Sequence, residues 1–336
     1  MPTPPSLCNL PNELAISIFN RVAFKSILTL RKVCHDLRIR IDDIKPEANL
    51  LSVHIDVTDC KIRFVYYSKI RTLDVEESED AVEYHKTMES GQSIVRSEGS
   101  EKIVNGDFME LASRDLLLIL KFQKKSIKIT FVNGTEHSSH FLQFLETLSS
   151  FLAFENQLLK VDVFHIDATD QKSVITALSL IDPQSICWIS LCYTKEEEWQ
   201  PLEFSKIMEM DHWKTAKCFE SNFKITGVSL HNFLHFSSFT AALQSISVEE
   251  LLDLKKIFQY SSEANWFSIR YETFEGREQF FEKMGPTVTF GDFEWFFRMS
   301  NTDDYVLWID LNETLKSIMF LRRQVHSIPE NAVIQN

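Results

Sequence analysis

Two histidines four residues apart, His231 and His235 in the run HNFLH, have the spacing with which a helix presents a pair of zinc ligands. The hydrolytic form of that motif needs a general-base glutamate directly after the first histidine, and Asn232 stands there instead. Both histidines are therefore assigned to structure. His137 and His140 lack a cysteine or carboxylate at ligand spacing, and Cys187 and Cys192 fall on one strand-like run, so packing accounts for all four and no metal is expected. Among the eight glycines there is neither a phosphate-cradling loop nor a G-x-S-x-G nucleophile elbow. Of the six cysteines only Cys34, followed by His35, has a neighbour that could activate a thiolate. No catalytic residue and no cofactor is expected. What the chain offers is surface for recognition.

The elements that would position such a surface begin near the N-terminus, in LPNELAISIFNRVAFKSILTLRKVCHDLRIRID, from Leu10 to Asp42. Leu14, Ile18 and Val22 recur every four residues with Ala15 and Phe19 beside them, which describes a helix with an apolar stripe. Pro11 suits the first turn, where a missing N–H costs nothing, and Glu13 favours the helix dipole. Ile27, Leu30, Cys34, Leu37 and Ile41 make a second stripe among Arg31, Lys32, Arg38 and Arg40, whose charges face outward. Periodicity leaves open whether that stripe is one helix or two. A module of roughly 40 residues cannot hide this many large side chains alone, so the stripes dock either on the rest of the chain or on a partner, at about 1.5–3 kcal/mol for each buried Leu, Ile or Phe.

The order Leu10-Pro11, Glu13-Leu14, Ile18-Phe19, Ile27-Leu28, Leu30-Arg31, Val33-Cys34 and Leu37 resembles the F-box, the helical motif that binds the Skp adaptor of SCF ubiquitin ligases. Leu37 stands where many members carry an aromatic residue. The resemblance implies an F-box over residues 8–46, with adaptor contacts from Leu10, Pro11, Leu14, Ile18, Phe19, Ile27, Leu28, Val33 and Leu37.

Composition fits an adaptor. A net charge of −13 argues against a nucleic-acid backbone or an anionic membrane surface as partner and favours basic or mixed-charge proteins. The cysteines are scattered, and MPTPPSLCNL lacks the regions of a signal peptide, so a reducing compartment, cytoplasmic or nuclear, is expected. The longest apolar run, LLLIL at residues 116–120, is far short of the ~20 residues that span a bilayer.

Behind the F-box, alternation through Leu51, Val53, Ile55 and Val57 and then Ile62, Phe64 and Tyr66 predicts a connecting hairpin over residues 50–73. Residues 74–101 hold nine carboxylates against two basic residues and read as a mobile acidic linker or loop. From Asp107 an amphipathic helix runs to Phe122. Strand-like runs then begin near Ile127, Leu159, Ile186, Ala216, Phe239, Trp266 and Tyr305, mostly 23 to 32 residues apart, with helical segments between several of them. One of these helices opens on a capping box, Ser247 with Glu250. The expected fold class is mixed α+β or α/β, a small helical F-box followed by a solenoid of stacked strand–helix units like leucine-rich repeats, over residues 102–325. The aromatic groups Phe236 with Phe239 and Phe293 with Trp295, Phe296 and Phe297 read first as core; because FEWFF, residues 293–297, is more apolar than one face of an element requires, an exposed part of Phe274–Phe297 is the alternative, a partner surface.

DLLLIL, DHWKTAK at Asp211–Lys217, FLHFSSF at Phe233–Phe239 and SVEELLDLKKIF occur in the order and spacing of the FTH domain, which follows the F-box in the nematode F-box A family. The chain resembles a member of that family. The resemblance implies a non-catalytic substrate receptor of an SCF-type ligase, bound through the Skp adaptor to cullin and through the FTH region to an unidentified protein by residues not yet assigned. The alternative is an interaction scaffold that binds the adaptor without delivering targets for ubiquitination.

Overall fold

The structure, a computed structural model, describes residues 7–22, 24–69, 77–88, 91–135, 139–193, 201–287, 293–300, 302–329 and 332–335. The chain divides into two compact units, Met1–Phe164 with Thr176–Ser185, and His165–Ile175 with Ile186–Asn336. Two elements, β7 (Val161–Asp167) and α6 (Gln171–Ser179), contribute residues to both.

The first unit opens with three short helices, α1 (Asn12–Phe19), α2 (Phe24–Val33) and α3 (His35–Ile44). The second apolar stripe is therefore two helices, parted by Cys34 in an extended conformation that lets its carbonyl start α3. α3 stops at Lys45, whose φ of 48° is left-handed, just before Pro46. Ala15, Phe19, Ile27, Leu37 and Ile41 are buried. The stripe of Leu14 and Ile18 faces solvent, so α1 packs through the Ala15–Phe19 face beside it.

The sheet of this unit runs β6-β1-β2-β3-β4-β5. Its strands are β1 (Leu50–Val57), β2 (Lys61–Lys69), β3 (Glu77–Lys86), β4 (Gln92–Ser97), β5 (Ser100–Asn105) and β6 (Ile127–Asn133). β1 and β2 form the expected hairpin, but β1 also pairs with β6 in parallel and β2 with β3, so the hairpin is sheet interior and not a connector. The acidic linker expected over residues 74–101 is also corrected. Its described residues, 77–88 and 91–101, are largely strand, and residues 70–76 and 89–90 lie outside the described residues. Cross-strand pairing explains why acidic sequence folds here: Glu83 receives Lys61 at 3.4 Å and Arg63 at 3.7 Å, and Arg96 sits opposite Glu101 at 2.7 Å. The β4–β5 hairpin turns on Glu98-Gly99, with Gly99 at a φ of 68° that its lack of Cβ permits. α4 (Phe108–Leu120), capped by the Asp107 carboxylate, and α5 (Ser139–Glu155) pack over the sheet, where the rings of Phe64, Tyr84 and Phe144 meet at 5.5 and 6.3 Å from Phe64.

The second unit contains β8 (Trp188–Cys192), β9 (Pro201–Glu203), α7 (Ser205–Glu209), α8 (Asp211–Thr215), β10 (Cys218–Thr226), β11 (Ser238–Ser247), α9 (Val248–Tyr260), β12 (Trp266–Glu275) and α10 (Arg277–Met284). β13 (Phe293–Met299), β14 (Thr302–Asn312), β15 (Ser317–Gln324) and β16 (Ile334–Gln335) follow. β8, β10, β11 and β12 lie side by side in parallel. Phe219, Phe239, Ala241, Phe267 and Ile269 are buried, while Glu220, Thr240, Ser268 and Arg270 alternate with them on a partly open face. The predicted capping box is present: Glu250 N donates to Ser247 Oγ at 3.3 Å and Ser247 N to the Glu250 carboxylate at 3.0 Å.

β13, β14 and β15 are antiparallel, and this ribbon, like β3–β5, departs from alternating strand–helix units. In FEWFF the burial agrees with the core reading and not with the partner-surface alternative. Trp295, Phe296 and Phe297 are all buried, because β13 is covered on both faces. Trp295 packs with Phe280 and Phe281, whereas Phe296 joins Val306, Trp308 and Ile334 in a separate cluster.

Gly276 starts α10 with φ 75°, and a Cβ there would stand 2.8 Å from Val248 Cγ1. Gly276→Ala meets backbone strain and overlap together, a loss on the order of 1–3 kcal/mol. Thermal unfolding should show a midpoint lowered by several degrees; an unchanged midpoint would show that the turn and Val248 adjust freely.

Candidate functional site

α1 carries Pro11, Leu14 and Ile18 at spacings of three and four, hence along one side of the helix and its entry turn. Leu14 is 54% and Ile18 38% exposed, and Val33 at the end of α2 is 65% exposed. Ile16 and Ile39 are exposed as well. Single exposed aliphatics are ordinary, and here Leu14, Ile16, Ile18, Val33 and Ile39 are exposed together on a module of three short helices. Leu10 is half-buried. Phe19, Ile27 and Leu37, also among the expected contacts, are buried between the helices of the free chain. Leu28 is half-buried beside a cleft of about 270 Å³ that also meets Tyr66, Tyr84 and Asp115. There Tyr84 donates to Asp115 at 2.7 Å, and burial, reinforced by the Asp115 charge, raises both phenol pKa values.

Polar contacts make the surface rigid. Arg31 forks onto Asp42 at 2.7 and 2.9 Å, joining α2 to α3, and that hydrogen bonding raises the guanidinium pKa. Arg40 of α3 donates to the carbonyls of Cys8 and Leu10 and fixes the entry to α1. Sequence periodicity missed Arg40's role because it assigned all four basic residues to an outward face. It also missed Ile16 and Ile39, which lie off the two stripes and have no sequence signal beyond their hydrophobicity.

The residues weighed for catalysis are not brought together. His231 approaches Asp253 at 3.3 Å, while His235 contacts the Trp213 carbonyl at 2.9 Å. His140 meets Asp59 at 3.5 Å, and His137 lies outside the described residues. Cys34 and His35 are exposed on the helical module. Cys187 is exposed ahead of β8 and Cys192 half-buried at its end, so neither is the interior packing residue expected. Burial pushes the Cys192 and Cys218 thiols up, opposite to what a nucleophile needs. Among the described residues no helix is long and apolar enough to cross a membrane.

In the second unit the open sheet face carries Trp188 and Trp266, 40% and 41% exposed, at the ends of one register row, Trp188–Cys218–Ser238–Trp266. Charges of both signs, Glu220, Arg270 and the Lys224–Glu272 pair at 2.6 Å, share this sheet.

The F-box domain model matches residues 7–48, and the FTH domain model matches residues 142–283. The chain is also similar to F-box A protein 224 of Caenorhabditis elegans, at 23% identity over 272 residues, covering 77% of this chain and 65% of the relative, less than two thirds of its length. No solved structure matches.

Proposed function

We infer, from an F-box ahead of an FTH domain and the likeness to an F-box A protein, that this chain is a substrate receptor of an SCF-type cullin-RING ubiquitin ligase. The observation that carries the reading is the exposed apolar side of α1, Pro11, Leu14 and Ile18, on a module stiffened by Arg31 and Arg40. These residues, with Leu10 and Val33, bury against the Skp-type adaptor, which connects the chain to cullin. No bond chemistry is asked of the receptor. It holds a target lysine near the ubiquitin-charged enzyme, and the gain is one of effective concentration and orientation.

The parallel β8, β10, β11 and β12, each with one face buried, support stacked units like leucine-rich repeats in the second unit. Its open face, anchored by Trp188 and Trp266, is the target surface, since exposed tryptophans supply much of the binding energy where partners meet. The mixed charge of that sheet and the acidic chain suit a basic or mixed-charge target in the cytoplasm or nucleus.

The test is reconstitution with adaptor, cullin and RING partner, followed by capture of proteins on the assembled ligase. The full chain should co-elute with the adaptor and support ubiquitin transfer to a captured protein. Trp188→Ala with Trp266→Ala should keep the adaptor and lose the captured protein. Failure to bind any adaptor rejects the receptor reading; adaptor binding with capture but no transfer leaves the scaffold alternative.

A further inference from the structure

We propose that His165, Asp167 and Cys192 form a zinc site in the second unit. His165 and Asp167 stand two apart on β7 and so project to the same side of the strand. Cys192 closes the set from the end of β8, where its carbonyl accepts from Ala168 N at 3.1 Å. One ligand atom from each residue lies within 4.8 Å of the others, with His165 Nε2 3.3 Å from Asp167 Oδ1. Bonds of 2.0–2.3 Å at tetrahedral angles place zinc ligands about 3.3–3.8 Å apart. A cation can therefore be seated by small side-chain movements.

The donors select the metal. Imidazole nitrogen, carboxylate oxygen and sulfur together suit zinc, whereas calcium and magnesium prefer all-oxygen shells. His165 Nδ1 is 2.9 Å from Ser190 Oγ, which orients the ring and leaves Nε2 for the ion, the supporting contact that metal-bound histidines use. Glu220, exposed on β10 opposite Ser190, adds negative charge nearby. All three ligands are half-buried, so an ion can enter, and three protein ligands leave one position open. His54 and Asp56 on β1 form a similar pair at 2.9 Å, but among the described residues that pair gathers no third donor. The sequence shows no such site because its third donor comes from a neighbouring strand and not from a local motif. The inference stands apart from the receptor reading.

Cobalt(II) is the probe. The full-length protein, stripped of metal by a chelator, should bind one equivalent of cobalt and develop a thiolate-to-cobalt charge-transfer band with d–d absorption of a four-coordinate ion. Zinc should displace it. Cys192→Ser should abolish the charge-transfer band, and His165→Gln and Asp167→Asn should each weaken cobalt binding at least tenfold, with circular dichroism confirming that each variant is folded. Cys218→Ser, a half-buried thiol outside the set, should leave the band intact. Absence of the band in the parent protein, or its persistence in Cys192→Ser, would overturn the site.

Discussion

Replacing Leu14 and Ile18 together by aspartate should abolish binding to a Skp-type adaptor while leaving the chain folded. Each side chain is in solvent in the free protein, at 54% and 38% exposure, so its loss removes little internal packing. Against a partner each would bury its remaining exposed half for roughly half of the 1.5–3 kcal/mol of full burial. The pair is then worth about 1.5–3 kcal/mol, and two carboxylates at an apolar interface add an unpaired-charge penalty of several kcal/mol. At 1.4 kcal/mol per tenfold, binding should weaken by at least about a hundredfold. Phe19→Ala is the contrasting variant. Phe19 is fully buried, so its truncation should cost about 3–5 kcal/mol of stability, and any lost binding would follow unfolding of the module. Binding measured by calorimetry beside thermal unfolding separates the two; native affinity in the folded double-aspartate variant would show that the adaptor does not dock on this side of α1.

Trp213→Ala should produce the largest loss of stability in the second unit. Trp213 of α8 is 3% exposed, with ring centroids of Phe204, Phe219, Phe233 and Phe236 at 5.5, 4.8, 5.4 and 4.8 Å. Removing a buried indole typically costs 3–5 kcal/mol, and loss of several edge-to-face contacts, each about 0.5–1.5 kcal/mol, places this site toward the upper end. Trp213→Phe should recover part of the loss. Denaturant unfolding with near-ultraviolet circular dichroism checks both; a shift under 1 kcal/mol for the alanine variant would mean the ring cluster closes around the cavity.

That cluster shows what was legible in the sequence. DHWKTAK and FLHFSSF, which carried the resemblance to the FTH domain, supply Trp213, Phe233, Phe236 and Phe239, rings that meet in the core. The motif is visible because packing demands particular aromatics at fixed places. The cap at Ser247 was legible for a similar reason, since it is settled within four residues. Other features are decided by distant partners. The acidic run became strand because Lys61 and Arg63 lie across from Glu83. FEWFF went inside because a second cluster forms behind Phe296. In α1 a helical period identified apolar faces but could not say which was internal, so Phe19 was grouped with Leu14 and Ile18 as one surface.

The two-residue pairing of β16 with β13, Phe296 to Ile334 and Phe297 to Gln335, bears on what the outer edge of β13 offers to another strand. β13 is an aromatic strand, and a long free edge of that kind would template another copy of itself. β16 occupies its outer side at the most apolar positions, and the register break between Arg298 and Met299 disturbs what remains. Together they shorten the run of unpaired backbone donors and acceptors that another strand could extend.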